Sequence, residues 1–430
     1  MNGISRHIAK VKSATKGNIW KTLGPGILFA STAIGVSHLV QSTRAGAFYG
    51  FGLLWAVVLA NLMKYPFFEF GSRYANATGT SLLDGYHRLG KWVLWTYALI
   101  TLGSMFFVSA AVTAVTSGFL DNLFAISQHT GVDLAIISAL ILLVCAIILS
   151  RGRFSVLDSL IKVIASVLLL TTVVAFVLTL AHGPVAQDIS LEFILPEDAI
   201  GIAFLIALMG WMPTAVDLST WNSLWTVARI RQTGYRPALK ETLFDFNLGY
   251  VISALLALCF ITMGSYLFYD TGTELSTSGA GFAHQVITMY TSTIGEWSYI
   301  IVASAGFAIM FGTSIAVLDG YARAMDHTAH LLLHGPEGSG ERSKTYGRTL
   351  WILVLGTFGI IYFLGTSIPD LVDLATTISF LIAPFIAIVN LILVHRPFVA
   401  AEFVPPLWLR LLAFCGVLFL TGFSLFFLTR

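Results

Sequence analysis

Charge is the first thing this chain lacks. Only 11% of its residues are Asp, Glu, Lys or Arg, against about 25% in a water-soluble domain, so a soluble surface of this size cannot be built from it. Cysteine is also scarce. Cys145, Cys259 and Cys415 each lie inside an apolar run without partner spacing, which makes them packing residues and leaves no redox or metal motif. P-loop, Gly-x-Ser-x-Gly and His-Glu-x-x-His patterns are missing. Neither an ATP-driven pump nor an enzyme is supported, and no cofactor is expected. The net charge of +2 is too small to point to nucleic acid. The polar, basic first 23 residues hold no cleavage-type site, so no removed signal peptide is expected.

What the chain has is hydrophobicity: 57% apolar residues and a mean hydropathy of +0.83. Windows of about 20 apolar residues mark membrane helices. They predict eleven spans: 24–43, 49–72, 92–119, 133–150, 156–181, 198–222, 243–269, 296–325, 349–367, 370–394 and 406–428. The fold class is an all-α polytopic membrane protein. With the N-terminus inside, the 24 lysines and arginines fall on the inner side except Arg44 and Arg430 outside and Lys64 and Lys162 within spans. That bias sets a cytoplasmic N-terminus and an outside C-terminus, in a plasma membrane of the bacterial inner-membrane kind. Trp92, Trp95, Trp297, Trp351 and Trp408 lie near span ends as interfacial anchors. The polar break 326–347 holds Asp326, His327, His330 and His334 near helical spacing, with Leu331 to Leu333 between them. It reads as an amphipathic segment lying on the membrane, with a metal site as the alternative.

Two spans are interrupted at mid-depth. The first contains Ile34-Gly35-Val36-Ser37-His38 and the sixth Gly210-Trp211-Met212-Pro213-Thr214. Pro213 removes a backbone donor and clashes with the preceding turn, so it breaks or kinks its helix. Freed backbone groups at that depth need a cavity, a neighbour or a ligand. Matching interruptions in two halves of a chain mark a transporter site. The expected organisation is a basic N-terminus at 1–23, a first five-helix repeat at 24–182, a second at 198–395, and an eleventh helix at 404–430.

Short blocks then resemble a known family. Gly24-Pro25-Gly26, Ala45-Gly46-Ala47, Leu53-Leu54-Trp55, Ala60-Asn61-Leu62-Met63, Ala77-Thr78-Gly79 and Met212-Pro213 are similar to the Nramp (MntH-type) metal-ion transporters. The resemblance implies the LeuT-type fold: a 5+5 inverted repeat with helices 1 and 6 unwound around a central site. The chain departs from the family where the metal would sit. Its Asp-Pro-Gly-Asn reads Gly35-Val36-Ser37-His38, and its Met-Pro-His reads Met212-Pro213-Thr214. The usual glutamine of helix 10 is Ile382, ahead of Pro384-Phe385, and the third span lacks the acidic residues of the family's proton route. This is a divergent branch, similar to Nramp-related bicarbonate transporters.

A dication needs formal negative charge and several hard donors, and Gly35, His38 and Met212 do not supply them; no metal ligands are assigned. The second half of each broken helix instead presents unpaired N–H groups and a partial positive charge. Gly35, Ser37, His38, Met212 and Thr214 are therefore the candidate substrate residues, for a small oxyanion. The structural alternatives stay open. Ser37 reads also as an N-cap, Thr214 to Asp217 as a capping box, and His38 as a core histidine bonded to a carbonyl. Lys64 and Asp217 are candidate auxiliary charges. A mid-span lysine costs about 2.5–3.5 kcal/mol on insertion scales, and snorkelling to the inner interface is the favoured reading of Lys64 and of Lys162. Thr313-Ser314 form a candidate sodium site, or a helix-packing device.

The expected function is a secondary transporter of a small inorganic anion, bicarbonate first, by alternating access with sodium or proton as the coupling ion. The alternatives are a divalent-metal (Mn, Fe or Mg) transporter with a site rebuilt from Met212, His38 and Asp217, and a non-transporting membrane sensor or scaffold.

Overall fold

The computed structural model describes residues 19–429 apart from 152–153, 187–188, 190–191, 273–275, 277–278, 337–343 and 366. Residues 1–18 of the expected basic N-terminus and the side chain of Lys162 lie outside the described parts. The first span is divided. Helix α1 (Pro25–Ala33) stops at Ile34, and the chain resumes as a π-wound turn, α2 (Ser37–Ser42), that runs into α3 (Thr43–Tyr49). Then follow α4 (Leu54–Thr78), the short α5 (Leu82–Leu89), α6 (Lys91–Phe124), α7 (Leu134–Arg151) and α8 (Phe154–His182). The sixth span is divided too: α9 (Ala199–Gly210) ends at Trp211 and α10 (Leu218–Thr233) begins seven residues later. The rest is α11 (Leu239–Phe268), α12 (Gly279–Ile294), α13 (Tyr299–His334), α14 (Lys344–Leu364), α15 (Ile368–Leu393) and α16 (Leu407–Leu428).

Among the described residues, seven helices are long and apolar enough to cross a membrane alone: α6, α7, α11, α13, α14, α15 and α16, α13 counted with the turn before it and α14 from Thr345. The remaining four expected spans fall short for separate physical reasons. Two are the broken helices, and α4 carries Lys64, Glu69 and Arg73. Only Leu169–His182 of α8 contributes a described apolar stretch. Helix α12 was not anticipated, because 16 residues of mixed polarity do not register as a span. Residues 326–334 do not form a separate segment on the membrane; they continue α13 without a break, with the His330 and His334 rings stacked 5.2 Å apart.

The Gly-Pro-Gly block has a local explanation. Pro25 opens α1, where its missing N–H costs nothing. The N–H groups of Gly24 and Gly26 donate to the Asp245 carboxylate of α11 at 3.1 and 2.7 Å, satisfying donors that a helix start leaves over. A Cβ on Gly26 would lie 1.9 Å from the Asp245 carbonyl, and one on Gly249 would lie 2.0 Å from that of Gly26. Backbone therefore meets backbone, the kind of close approach that drives helix association in lipid. Phe29 fills the space beside it, against Phe68, Phe246 and Tyr250 at 5.1, 5.6 and 5.8 Å.

Candidate functional site

The first break is closed by short backbone turns and by bonds to neighbouring elements. Gly35 N–H turns back to Ala33 O at 2.9 Å, and Leu39 N–H reaches Gly35 O at 3.0 Å. The Ser37 hydroxyl lies 2.6 Å from Ala33 O, 2.7 Å from His38 Nδ1 and 3.2 Å from Pro213 O. One hydroxyl proton cannot serve three acceptors, so Ser37 spends its donor inside the break. His38 is fully buried, and its Nε2 lies 2.8 Å from the Ser253 carbonyl of α11. A carbonyl only accepts, so Nε2 carries the proton. His38 thus pins the first span to α11, and it does not line the cavity described below.

The sixth-span break is open over Trp211–Asp217 and is held from outside. Lys64 on α4 is fully buried, with Nζ 2.6 Å from Met209 O, 2.8 Å from Gly210 O and 3.3 Å from Thr214 O. The snorkelling reading of Lys64 is therefore corrected. Backbone carbonyls of a helix some 145 positions away supply a nearer partner than the interface does. Glu69, further along α4, is paired with Arg73. Trp211 Nε1 donates to Ser379 Oγ of α15 at 2.8 Å. No Thr214–Asp217 capping box forms: Asp217 occupies the N-cap position of α10 with no side-chain capping bond. Its Oδ2 accepts from Tyr321 of α13 at 3.1 Å, while its Oδ1 is buried with no hydrogen-bond partner among the described residues.

Between the breaks lies a cavity of about 30 Å³. Its polar wall is Thr32, Ser37, Thr214, Asp217, Thr313 and Tyr321, facing valines and two tryptophans. Of the candidate residues, the cavity thus brings together Ser37, Thr214, Asp217 and Thr313. Gly35 packs behind it against Thr313, and Met212 is buried in the core. The hydroxyl pair of α13 is split. Thr313 donates to Ser31 O of α1 at 3.2 Å, whereas Ser314 turns away to Thr116 of α6 at 2.7 Å. Among the described residues, no group of three or more His, Cys, Asp or Glu is placed to hold a metal ion.

The sequence reading missed a second polar cluster. Arg44 of α3 pairs with both oxygens of Asp373 on α15 at 2.7 and 3.0 Å. Gln41 donates to the same carboxylate at 2.8 Å, and Phe204 of α9 lies under the guanidinium at 4.9 Å. The cluster ties the second half of the first span to α9 and α15. Its signal was the position of Arg44, a basic residue on the side that the charge bias leaves nearly bare.

The description "natural resistance-associated macrophage protein-like" (Nramp) matches residues 26–430. An uncharacterized protein of Pasteurella multocida is 33% identical over 428 residues, 98% of this chain and 95% of that one. The divalent metal cation transporter MntH of Chromohalobacter salexigens is 23% identical over 58% of this chain and 57% of its own. In structure, the chain is similar to a manganese transporter of Eremococcus coleocola at a TM-score of 0.69 and 13% identity, covering 97% of this chain and 90% of that one. The likeness to MhsT has a TM-score of 0.57, 14% identity, and covers 93% and 98%. With both broken helices in place, the architecture is the LeuT-type fold.

Proposed function

This chain belongs to the Nramp family, hence to secondary transporters rather than enzymes, and on that premise we propose that it carries a small oxyanion, bicarbonate first, through the cavity between the two breaks. The observation that carries the reading is the buried mismatch in the cavity wall. Among the described residues Asp217 Oδ1 is a buried acceptor with no hydrogen-bond partner, on the same cavity wall as Thr214. A buried polar atom without a partner calls for an unseen ligand or water. Bicarbonate both donates, through its O–H, and accepts. It therefore meets both groups, the carboxylate through its O–H and the Thr214 hydroxyl through an acceptor oxygen.

Charge points the same way. Lys64, bonded to the Thr214 carbonyl, and Asp217 are both buried at the break of the sixth span, and with both ionised they sum to zero. The cost of an ion in a low-dielectric site rises with the square of its charge. A dication left uncompensated there costs about four times what a monoanion does. Ser37 and Thr214 contact the substrate in this reading, while Gly35, His38 and Met212 shape the breaks. Orientation follows the basic-residue bias, with a cytoplasmic N-terminus in a bacterial inner membrane. Thr313, bonded to the Ser31 carbonyl beside the cavity, is the place for a coupling sodium, and Asp217 is the place for a coupling proton.

A second reading is favoured by the relatives, whose names state divalent metal cation transport. It places Mn²⁺ against Asp217 with Met212 recruited by movement of the loop. Proteoliposomes carrying an internal pH reporter separate the two. Bicarbonate-dependent alkalinisation above that of protein-free liposomes, with no Mn²⁺ uptake, supports the anion. Saturable Mn²⁺ uptake without the pH change reverses the ranking.

A further inference from the structure

Three backbone carbonyls converge on one point at the break of the sixth span, and a side chain from another helix already stands there. Met209 and Gly210 are the last residues of α9, so their carbonyls form the negative end of that helix; Thr214 adds a third from the loop. Rings of carbonyl oxygens around one point are how proteins take small cations out of water. Here the point is occupied by Lys64 Nζ at 2.6, 2.8 and 3.3 Å. All three acceptors can only accept, so satisfying them needs three N–H groups, which only the ammonium form has. The Phe380 ring, 6.0 Å away, offers its face to the same charge.

We infer that Lys64 is a built-in cation: its ammonium fills the carbonyl cage at the break of the sixth span and excludes free metal and alkali ions from it. It is a specificity-determining residue. The cage keeps its geometry and its charge balance without a dissolved ion, and the loop bearing Thr214 is held against the cavity by a covalently anchored charge. The inference does not depend on which solute is carried, because any substrate would meet the same occupied cage.

The test uses the full chain purified in detergent, as Lys64→Met and, because that variant risks failing to fold, as Lys64→Gln, which keeps two amide donors without the charge. Unfolding midpoints are read in chloride salts of K⁺, Na⁺, Mg²⁺, Mn²⁺ and ethylammonium, the last a free copy of the lysine head group. Wild type is expected to be indifferent to all five beyond the shift given by Lys64→Arg. The neutral variants are expected to melt lower and to recover with a saturable dependence on at least one cation, since a ligand that binds only the folded state raises its midpoint. Recovery of folded yield when ethylammonium or K⁺ is present throughout purification counts as the same result. Neutral variants that melt like wild type, or that stay destabilised in every salt, overturn the inference. The readout is thermal, so a failure of bicarbonate uptake would leave it standing, and the reverse also holds.

Discussion

The two breaks do the same job by opposite means. The first is a glycine turn whose donors are taken close by: Gly35 and Ser37 reach Ala33 O, and His38 reaches the Ser253 carbonyl of α11. The second is a proline-containing loop of seven residues whose freed carbonyls are met by a lysine from α4. A break whose donors are taken leaves a ligand the Ser37 hydroxyl oxygen on the cavity wall. The externally held break puts Thr214 and the Asp217 carboxylate on the cavity wall, and among the described residues Asp217 Oδ1 has no hydrogen-bond partner there.

The sharpest way to break this comparison is Asp217→Asn. Losing a hydrogen bond to a charged group costs about 1.5–3 kcal/mol, so bicarbonate uptake is expected to fall roughly 10- to 150-fold with folding retained. Uptake equal to wild type would move the substrate away from the second break. Next in size is a pair of glycine substitutions. A Cβ at Gly210 meets the Thr376 carbonyl of α15 at 2.1 Å, and backbone cannot step aside. Gly210→Ala is therefore expected to lower stability by about 1–3 kcal/mol, in the range of overpacked sites. At Gly35 the obstacle is the Thr313 side chain, 2.8 Å away at Cγ2 and 2.9 Å at Oγ1. Gly35→Ala is expected to cost less, and unfolding midpoints that reverse the order would refute the contrast between the breaks.

Thr313→Val should matter less still. It removes one neutral donor from Ser31 O, about 0.5–1.5 kcal/mol, read as a small fall in melting temperature. If sodium is coupled at this place, the sodium dependence of uptake disappears with it.

A further effect, read at acid pH, concerns the short helix α5, whose Leu82 N–H is bound by Ser223 of α10 at 2.9 Å. Burial pushes the Asp84 carboxyl up, but hydrogen bonds from His327, Ser81 Oγ and Ser81 N–H outweigh it and hold it down, from 3.8 to about 2. A depressed carboxylate contributes stability that is complete above its unfolded value and is lost as pH falls through its folded value. Wild type is therefore expected to lose this contribution between about pH 4 and pH 2, and Asp84→Asn to lack that limb. An acid limb unchanged in the variant would remove the Asp84–His327 pair from the account.

How much of this was legible beforehand depends on who supplies the partner. Gly35 and Pro213 announce their breaks through backbone chemistry that any sequence shows, and both helices stop where those residues stand. Lys64 was visible as an anomaly, but its acceptors are main-chain carbonyls, which every residue possesses and no sequence singles out. Counting turns to the membrane edge therefore pointed to snorkelling. His38 was evenly readable as ligand or core histidine for the same reason, since its partner is the Ser253 carbonyl. Asp245 hid in a membrane helix as one more acidic residue, although it explains why the chain begins its first span with Gly-Pro-Gly.

The backbone contact between Gly26 and Gly249 has a mechanical consequence. Both α1 and α3 pack along α11, so the two pieces of the first span ride a single strut, and a lever pushing one displaces the other. The sixth span is divided between different carriers: α9 lies on α15, and α10 lies on α4. Rocking of one carrier against the other would load the chain at Trp211–Asp217, and through the Arg44–Asp373 pair it would reach the second half of the first span. Lys64, rooted in α4 and bonded to the end of α9, spans that joint, so its four-carbon stem would set how far the two could part with the bonds intact.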